Sequence, residues 1–218
     1  MSIIFEERKS DSPYVETVTY GRTVGNGSSI RPAEVHWHMV FAKHRGRVQP
    51  IVVGPWTTAG VVAYGGGAEI LWIKFKLGTF MPQLRTRKFI DTETVLPVAA
   101  GKSFWLHGAT WQFPDFENAD TFVDQLVRDG ALDSDQVVRA VLRDPAQEIP
   151  SRTVRHRFAQ ATGLAQSHIR QVERAQLAAA LLEQGTSILD TVYEVGYYDQ
   201  PHLTRSLKRF IGKTPTEI

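Results

Sequence analysis

The 218-residue sequence contains no cysteine, and this absence excludes several kinds of chemistry at once. Disulfide bonds, thiolate zinc sites, iron–sulfur clusters and cysteine nucleophiles all require a thiol. Long uncharged apolar runs are also missing, because none approaches the ~18 residues that a membrane-spanning helix needs. The N-terminal segment MSIIFEERKS lacks the apolar core of a signal peptide. We therefore expect a cytoplasmic protein that does not bind a membrane.

Net charge is small, at +2, but the charges are unevenly distributed along the chain. Residues 1–115 hold 13 Lys and Arg against 9 Asp and Glu, whereas residues 116–149 hold 3 against 8. Residues 150–218 hold 9 against 6. A modestly basic tail behind an acidic stretch permits nucleic-acid binding but does not establish it.

The residue pattern changes near residue 115. Before it, glycines separate short β-rich runs at residues 35–41, 48–53 and 69–77. The last run alternates and places one apolar set on a single face: Leu71, Ile73, Phe75 and Leu77. Residues 80–84 fit a single helical turn. Several short strands between turn residues predict a small antiparallel barrel or sandwich.

After residue 115 the apolar residues recur with the period of an α-helix, and six helices are expected. The fourth, over residues 166–184, is the longest. The third is expected to end at Gly163 and the fifth to precede Gly196. Asn118 is the expected cap of the first helix, and Asp133 or Ser134 that of the second. The third is expected to begin at Pro150 or Ser151, and the expected cap of the sixth is Asp199. This half of the chain is therefore all-α, and the fold class is α+β.

Two of these helices are related by a repeat with an offset of 49 residues. Residues 152–163 read RTVRHRFAQATG, and residues 201–212 read PHLTRSLKRFIG. The apolar positions coincide, as do the final glycines. Before the second copy come a short apolar helix, a glycine and a three-residue turn. This is the layout of a helix-turn-helix, although an ordinary helical hairpin in a bundle has the same spacing.

Residues 195–215, VGYYDQPHLTRSLKRFIGKTP, resemble the signature of the AraC/XylS family of bacterial transcription regulators. The resemblance covers residues 151–218 and implies two homeodomain-like helix-turn-helix units joined by a long helix. It divides the chain into a β-rich sensor domain, residues 1–115, and a DNA-binding domain, residues 116–218. The first unit then spans about 133–163, the linker helix 166–184 and the second unit 187–212. The connection at residues 144–150 is longer than the family's usual glycine turn, which leaves DNA reading by the first unit open.

A helical wheel separates the core faces of the third and sixth helices from their outer faces. In the sixth helix, the resemblance implies base contacts from Gln200, Pro201 and Arg205, and phosphate contacts suit Lys208 and Arg209. The matching outer face of the third helix carries Arg152 and His156, flanked by Arg155. Arg205 also fits a solvated surface charge, and His156 fits a structural role.

Three other side chains in this half have alternative roles. Arg157 falls nearer the core edge and is expected to pair with Glu173 or another carboxylate. Tyr197 and Tyr198, in the turn, either pack or meet a phosphate, and packing is favoured.

Residues 52–56 and 71–78 resemble, more loosely, the small β-rich sensor domain found in some family members. That resemblance implies a pocket for a small-molecule effector. All five tryptophans precede residue 115 and either line such a pocket or fill the core: Trp37, Trp56, Trp72, Trp105 and Trp111.

A histidine pair, His36 and His38, raises the alternative of a metal site. On a strand the two point to one face, and His44 or His107 can supply a third imidazole. Cupin-type metal enzymes use such an H-x-H pair, usually with a nearby glutamate. Residues 39–45 contain no acid, so we expect no metal here.

The sequence thus predicts a sequence-specific DNA-binding transcription regulator that responds to an effector through its N-terminal domain. The expected partners are double-stranded DNA, a small-molecule effector and RNA polymerase. No cofactor and no catalysis are expected. The alternative is a cupin-like metal-dependent enzyme with an appended helical domain.

Overall fold

The computed structural model describes residues 3–84, 86–143 and 149–218. Most of the connection that raised doubt about the first helix-turn-helix unit, residues 144–148, lies outside the described residues. No helix within the described ranges is long and apolar enough to cross a membrane.

The N-terminal half is built around an antiparallel sheet of six strands. Their spatial order is β1 (Ile3–Lys9), β2 (Val15–Thr23), β7 (Glu69–Phe75), β4 (His38–His44), β5 (Arg47–Val53) and β9 (Glu93–Val95). A two-stranded ribbon consists of β3 (Gly27–Arg31) and β6 (Gly60–Tyr64). A three-stranded sheet consists of β10 (Val98–Ala99), β11 (Ser103–Leu106) and β12 (Ala109–Gln112).

The prediction of a β-rich N-terminal half is confirmed, but the described strands do not form a closed barrel. The two edge strands of the main sheet, β1 and β9, lie at opposite ends of the strand order, so the described strands do not close on themselves. The predicted helical turn at residues 80–84 is also wrong. Phe80 ends β8 (Thr79–Phe80), which pairs with β13 (Asp133–Ser134), and a single 3-10 turn follows at Thr86–Phe89.

Six helices follow, close to their predicted positions. They are α1 (Ala119–Arg128), α2 (Gln136–Arg143), α3 (Ser151–Thr162), α4 (Gln166–Glu183), α5 (Ile188–Val195) and α6 (Gln200–Phe210). The cap of α2 is neither Asp133 nor Ser134, because both residues belong to β13. Asp135 has this role, and its carboxylate accepts hydrogen bonds from the backbone N–H groups of Val137 and Val138.

The two faces of the six-stranded sheet have different environments. Alternate residues of β7 are buried in a core that also contains Phe41, Phe104 and Phe122, whose rings pack edge to face or tilted. Strong burial of aromatic rings makes this the main hydrophobic core of the N-terminal half. The intervening residues of the same strands point to the opposite face, where Trp72 and Lys74 line a cavity together with Ser29 and Tyr64 of the β3–β6 ribbon.

A second core joins the two halves of the chain. Ala33 and Val35, in the extended segment between β3 and β4, are buried together with Phe158 of α3 and Phe210 of α6. The β-rich half is therefore in direct contact with both helices of the 49-residue repeat.

Candidate DNA-binding surface

The repeat is retained in three dimensions. The equivalent side chains of α3 and α6 are all buried: Val154, Phe158 and Ala161 in α3, and Leu203, Leu207 and Phe210 in α6. The glycines that follow, Gly163 and Gly212, have φ values of +79° and +83°, a left-handed conformation that favours glycine. Because equivalent residues of the two helices face the core, the remaining residues at equivalent positions of the two helices face solvent.

The start of α6 is set by Asp199, whose side chain accepts a hydrogen bond of 2.7 Å from the backbone N–H of His202. This cap orients the first turn, where Gln200 and Pro201 are exposed. One and two turns further on, Arg205, Lys208 and Arg209 are also exposed. The structure thus brings all five residues predicted on α6 to its surface, while their contacts with DNA stay a prediction.

The outer face of α3 carries Arg152, Arg155 and His156, all exposed. Arg157 is different, because its Nε lies 3.0 Å from Oδ2 of Asp135, whose side chain is only 6% exposed. The prediction that Arg157 pairs with a carboxylate is confirmed, and the partner is Asp135 rather than Glu173.

Among the residues that the structure describes, the cations predicted to meet DNA form no such pairs. No described carboxylate lies within 4.0 Å of the charged groups of Arg152, Arg155, Arg205, Lys208 or Arg209. Neither α3 nor α6 contains an acidic residue. An unneutralised basic face is the electrostatic requirement for binding phosphates.

In the turn between α5 and α6, one of the two tyrosines packs against neighbouring residues and the other is exposed. Gly196 has a φ of +73°, and the buried ring of Tyr197 lies against the Arg174 guanidinium, 4.8 Å from the ring centre. The Tyr197 hydroxyl lies 2.8 Å from Oγ of Ser206 in α6. Tyr198 is 92% exposed. Packing, the role favoured from the sequence for both tyrosines, is found for Tyr197 only.

Of the four histidines considered as metal ligands, only His36 and His38 lie close together, beside one carboxylate. Nδ1 of His36 lies 2.5 Å from Oε1 of Glu34, and Nε2 of His38 lies 3.7 Å from Oε2 of the same carboxylate. His44 is at the other end of β4, ~20 Å away at ~3.4 Å per residue, and His107 contacts Gln83. Among the residues described, no group of three or more His, Asp or Glu could hold a metal ion.

The tryptophans have separate environments instead of lining one pocket. Trp37 and Trp111 are buried in the main core. The Trp56 ring lies 3.6 Å from the guanidinium of Arg31, and Trp105 is 47% exposed. Trp72 alone among the five contributes to the cavity of about 490 Å³ that lies against the outer face of the six-stranded sheet.

Sequence reasoning missed three residues that connect the β-rich half to the helices. The Thr86 hydroxyl donates a 2.7 Å hydrogen bond to the backbone carbonyl of Gln160 in α3. The backbone N–H groups of Ala33 and Ala59 donate to the carbonyls of Phe210 and Arg209 in α6, at 2.7 and 2.8 Å. No local sequence signal marks these contacts, because two of them use only backbone atoms.

Comparison with protein families agrees with the helix-turn-helix geometry of the C-terminal half. Residues 147–218 match the model of a helix-turn-helix domain family. No curated protein matches the chain. Among solved structures, that of ToxT from Vibrio cholerae is similar to this chain with a TM-score of 0.36 and 10% sequence identity, over 100% of this chain and 97% of that one.

Proposed function

We propose that this chain is a transcription regulator that binds specific double-stranded DNA sites through α3 and α6, because residues 147–218 match the model of a helix-turn-helix domain family and residues 195–215 resemble the AraC/XylS signature. The observation that supports this most directly is the repeated outer face. Two helices bury the same three positions, end in the same glycine conformation and carry surface cations that no described carboxylate neutralises.

The two helices have different chemical capacities on DNA. Arg205 can form two hydrogen bonds with guanine O6 and N7, and Gln200 can pair with adenine N6 and N7. Lys208 and Arg209 suit phosphates, which add affinity without sequence preference. On α3 the reading capacity is weaker, and Arg152, Arg155 and His156 contribute mainly phosphate contacts.

The arrangement of the operator follows from the repeat. Both units belong to one chain and are related by a sequence offset, not by a two-fold axis. Helices that enter successive major-groove faces lie about 34 Å apart along the DNA, or one helical turn. The half-sites should therefore be direct repeats and not a palindrome.

An effector response through the N-terminal half is supported by equivalent contacts on both helices. Gln160 and Arg209 are 49 residues apart and occupy the same position in the repeat, and each offers its backbone carbonyl to the β-rich half. A change in the β-rich half therefore reaches α3 and α6 at the same point. We take residues 1–115 as the sensor domain and residues 116–218 as the DNA-binding domain, in a cytoplasmic protein that acts with RNA polymerase.

Selection of bound sites from random DNA, followed by affinity measurements at increasing salt, tests this function. Cationic contacts release counterions from DNA, so the logarithm of the association constant should fall with the logarithm of salt concentration, with a slope of about −0.9 per neutralised phosphate. The selected sites should contain direct repeats. A flat salt dependence, or no enrichment of any sequence, would contradict the proposal.

A further inference from the structure

The cavity of about 490 Å³ has no role in the DNA contacts described above. Its volume lies within the range of small-molecule sites, roughly 300–1,000 Å³. It lies between the outer face of the six-stranded sheet and the β3–β6 ribbon, which contributes Ser29 and Tyr64. The main aromatic core is on the opposite face of the sheet, so the cavity is separate from it.

The strand register defines the cavity wall. Thr17 and His38 are both paired with Lys74, which places these three side chains in one row across the sheet. The neighbouring row contains Glu7, Thr19 and Trp72, and Phe5 lies opposite Gly21 in the next row. Aromatic rings, hydroxyls and charged groups are therefore presented side by side on one face.

Two glycines make room for the aromatic rings of this wall. A Cβ at Gly21 would lie 2.8 Å from the ring of Trp72, and a Cβ at Gly27 would lie 2.7 Å from the hydroxyl of Tyr64. Both distances are shorter than atoms can approach without displacement. The rings occupy the space above these two glycines, and this packing positions them beside the cavity.

The charges that line the cavity sum to a net negative value. Lys74 is already paired, because its Nζ lies 3.0 Å from Oε2 of Glu34. Burial lowers the pKa of His38 below its ordinary value despite the neighbouring Glu34, so His38 is neutral at pH 7. Glu7, at the rim, accepts a hydrogen bond from the Thr19 hydroxyl and has no described cation within 4.0 Å.

We propose that this cavity binds an organic cation with an apolar body, such as a substituted ammonium ion, as the effector of the regulator. Rings of Phe5, Tyr64 and Trp72 attract cations through their π-faces. Glu34 provides the counter-charge: it is 20% exposed, and its two oxygens retain acceptor capacity beyond their bonds to His36 and Lys74. An anion would meet two carboxylates, Glu7 and Glu34, and only one cation, Lys74, so the net charge of the lining favours a cation.

Glu34 also connects the cavity to the helices. In the extended segment between β3 and β4, Ala33 and Val35 are buried against α3 and α6, while Glu34 between them lines the cavity. The Ala33 N–H donates to Phe210 of α6, and its carbonyl accepts from the side-chain amide of Gln176 in α4. A cation that draws Glu34 away from Lys74 moves the backbone that holds α6. This step rests on the proposed function, whereas binding of the cation does not.

Calorimetric titration of the DNA-free full chain with three matched probes tests the ligand class. The probes are 4-tert-butylbenzylammonium, 4-tert-butylbenzyl alcohol and 4-tert-butylbenzoate, which share one body and differ in charge. We expect the ammonium probe to bind at least tenfold more tightly than the other two. Equal affinities, or tightest binding of the benzoate, would overturn the proposal.

Variants then locate the site. Glu34→Gln should weaken binding of the ammonium probe at least fivefold and leave the alcohol unchanged. Glu7→Gln, at the exposed rim, is a second variant that leaves the ion pair of Glu34 and Lys74 intact, and it should weaken binding of the ammonium probe about twofold. Glu117→Gln, on the surface before α1, is the control and should change nothing. Undiminished ammonium binding by both cavity variants would place the site elsewhere and overturn the assignment.

A gel-shift assay on a selected DNA site, with and without the ammonium probe, separates the two proposals. Binding of the probe with no DNA binding would retain the cation site and contradict the regulator. DNA binding by a chain that shows no preference for the ammonium probe would support the regulator and contradict the cation site.

Discussion

At the scale of single residues, pairing distinguishes structural arginines from those available to DNA. Arg157 is bound to the buried carboxylate of Asp135, so its charge is used within the fold. Arg205 projects from the outer face of α6 and has no described carboxylate within 4.0 Å. The same residue type therefore forms an internal ion pair at position 157, whereas at position 205 it pairs with no described carboxylate and is proposed to contact DNA.

Replacing Arg205 with alanine should remove a base-specific contact. We expect a loss of about 1–3 kcal/mol on the selected site and a relaxed preference at one base pair, because a bidentate contact to guanine discriminates by about that amount. Competition binding against single-base variants of the site measures both effects. Lys208→Ala is the comparison, and it should weaken binding to all sequences about equally. Unchanged affinity and preference in Arg205→Ala would show that the outer face of α6 does not read this site.

At the scale of secondary-structure elements, α3 and α6 have the same pattern of buried residues but carry different side chains on the faces proposed to contact DNA. The outer face of α3 carries three cationic or hydrogen-bonding side chains and no acid. The C-terminal end of α3 is held by Thr86, so the helix is fixed relative to the β-rich half. We therefore expect α3 to touch DNA, more through phosphates than through bases.

A double variant, Arg152→Ala with His156→Ala, tests the contribution of α3. The footprint on a selected site should shrink from about two major-groove segments to one, because phosphate contacts to one half-site are lost. Arg128→Ala, an exposed arginine of α1 outside the helix-turn-helix domain, is the matched control and should leave the footprint unchanged. If the double variant protects the same length of DNA with wild-type affinity, α3 serves only as scaffold.

At the scale of the whole molecule, buried histidines link stability to pH. Burial lowers the pKa of His38 beside the cavity. The pKa of His168, whose ring packs edge-on against Phe210, is lowered by burial and then by Arg209. In both cases the folded state favours the neutral ring. Glu34 has the opposite charge: burial favours its neutral form, but the hydrogen bonds with His36 and the nearby His38 outweigh burial and lower its pKa strongly, so it stays ionised above pH 5.

Unfolding free energy should therefore fall as the pH is lowered from 7.5 to 5.5. Below the ordinary histidine pKa of about 6.5, the unfolded chain binds protons that the folded chain does not, and this favours unfolding. Denaturant titrations at the two pH values measure the difference. His38→Gln and His168→Gln should each reduce it, while His44→Gln, at an exposed position, is the control. Equal or greater wild-type stability at pH 5.5 would contradict this assignment of neutral buried rings.

Features that depend on near neighbours were determined by the sequence alone. Helical periodicity, the Asp199 cap and the ends of α3 and α5 before Gly163 and Gly196 all follow from interactions within a few residues. The exposed faces of α3 and α6 could be predicted for the same reason, because burial of every third or fourth residue determines which side chains remain exposed. The cap of α2 was misassigned, because β8 pairs with Asp133 and Ser134 from more than fifty residues away in sequence.

Only the tertiary structure decided where the β-rich half touches the helices and what lines its cavity. Thr86 and Gln160 are 74 residues apart, and Ala33 and Gln176 are 143 apart. In both contacts the acceptor is a backbone carbonyl, which every residue has, so no residue pattern marks where a distant side chain will bind. The pairing of Glu34 with Lys74 depends likewise on the order of strands in the sheet, which is set by packing of the whole core and not by local preference.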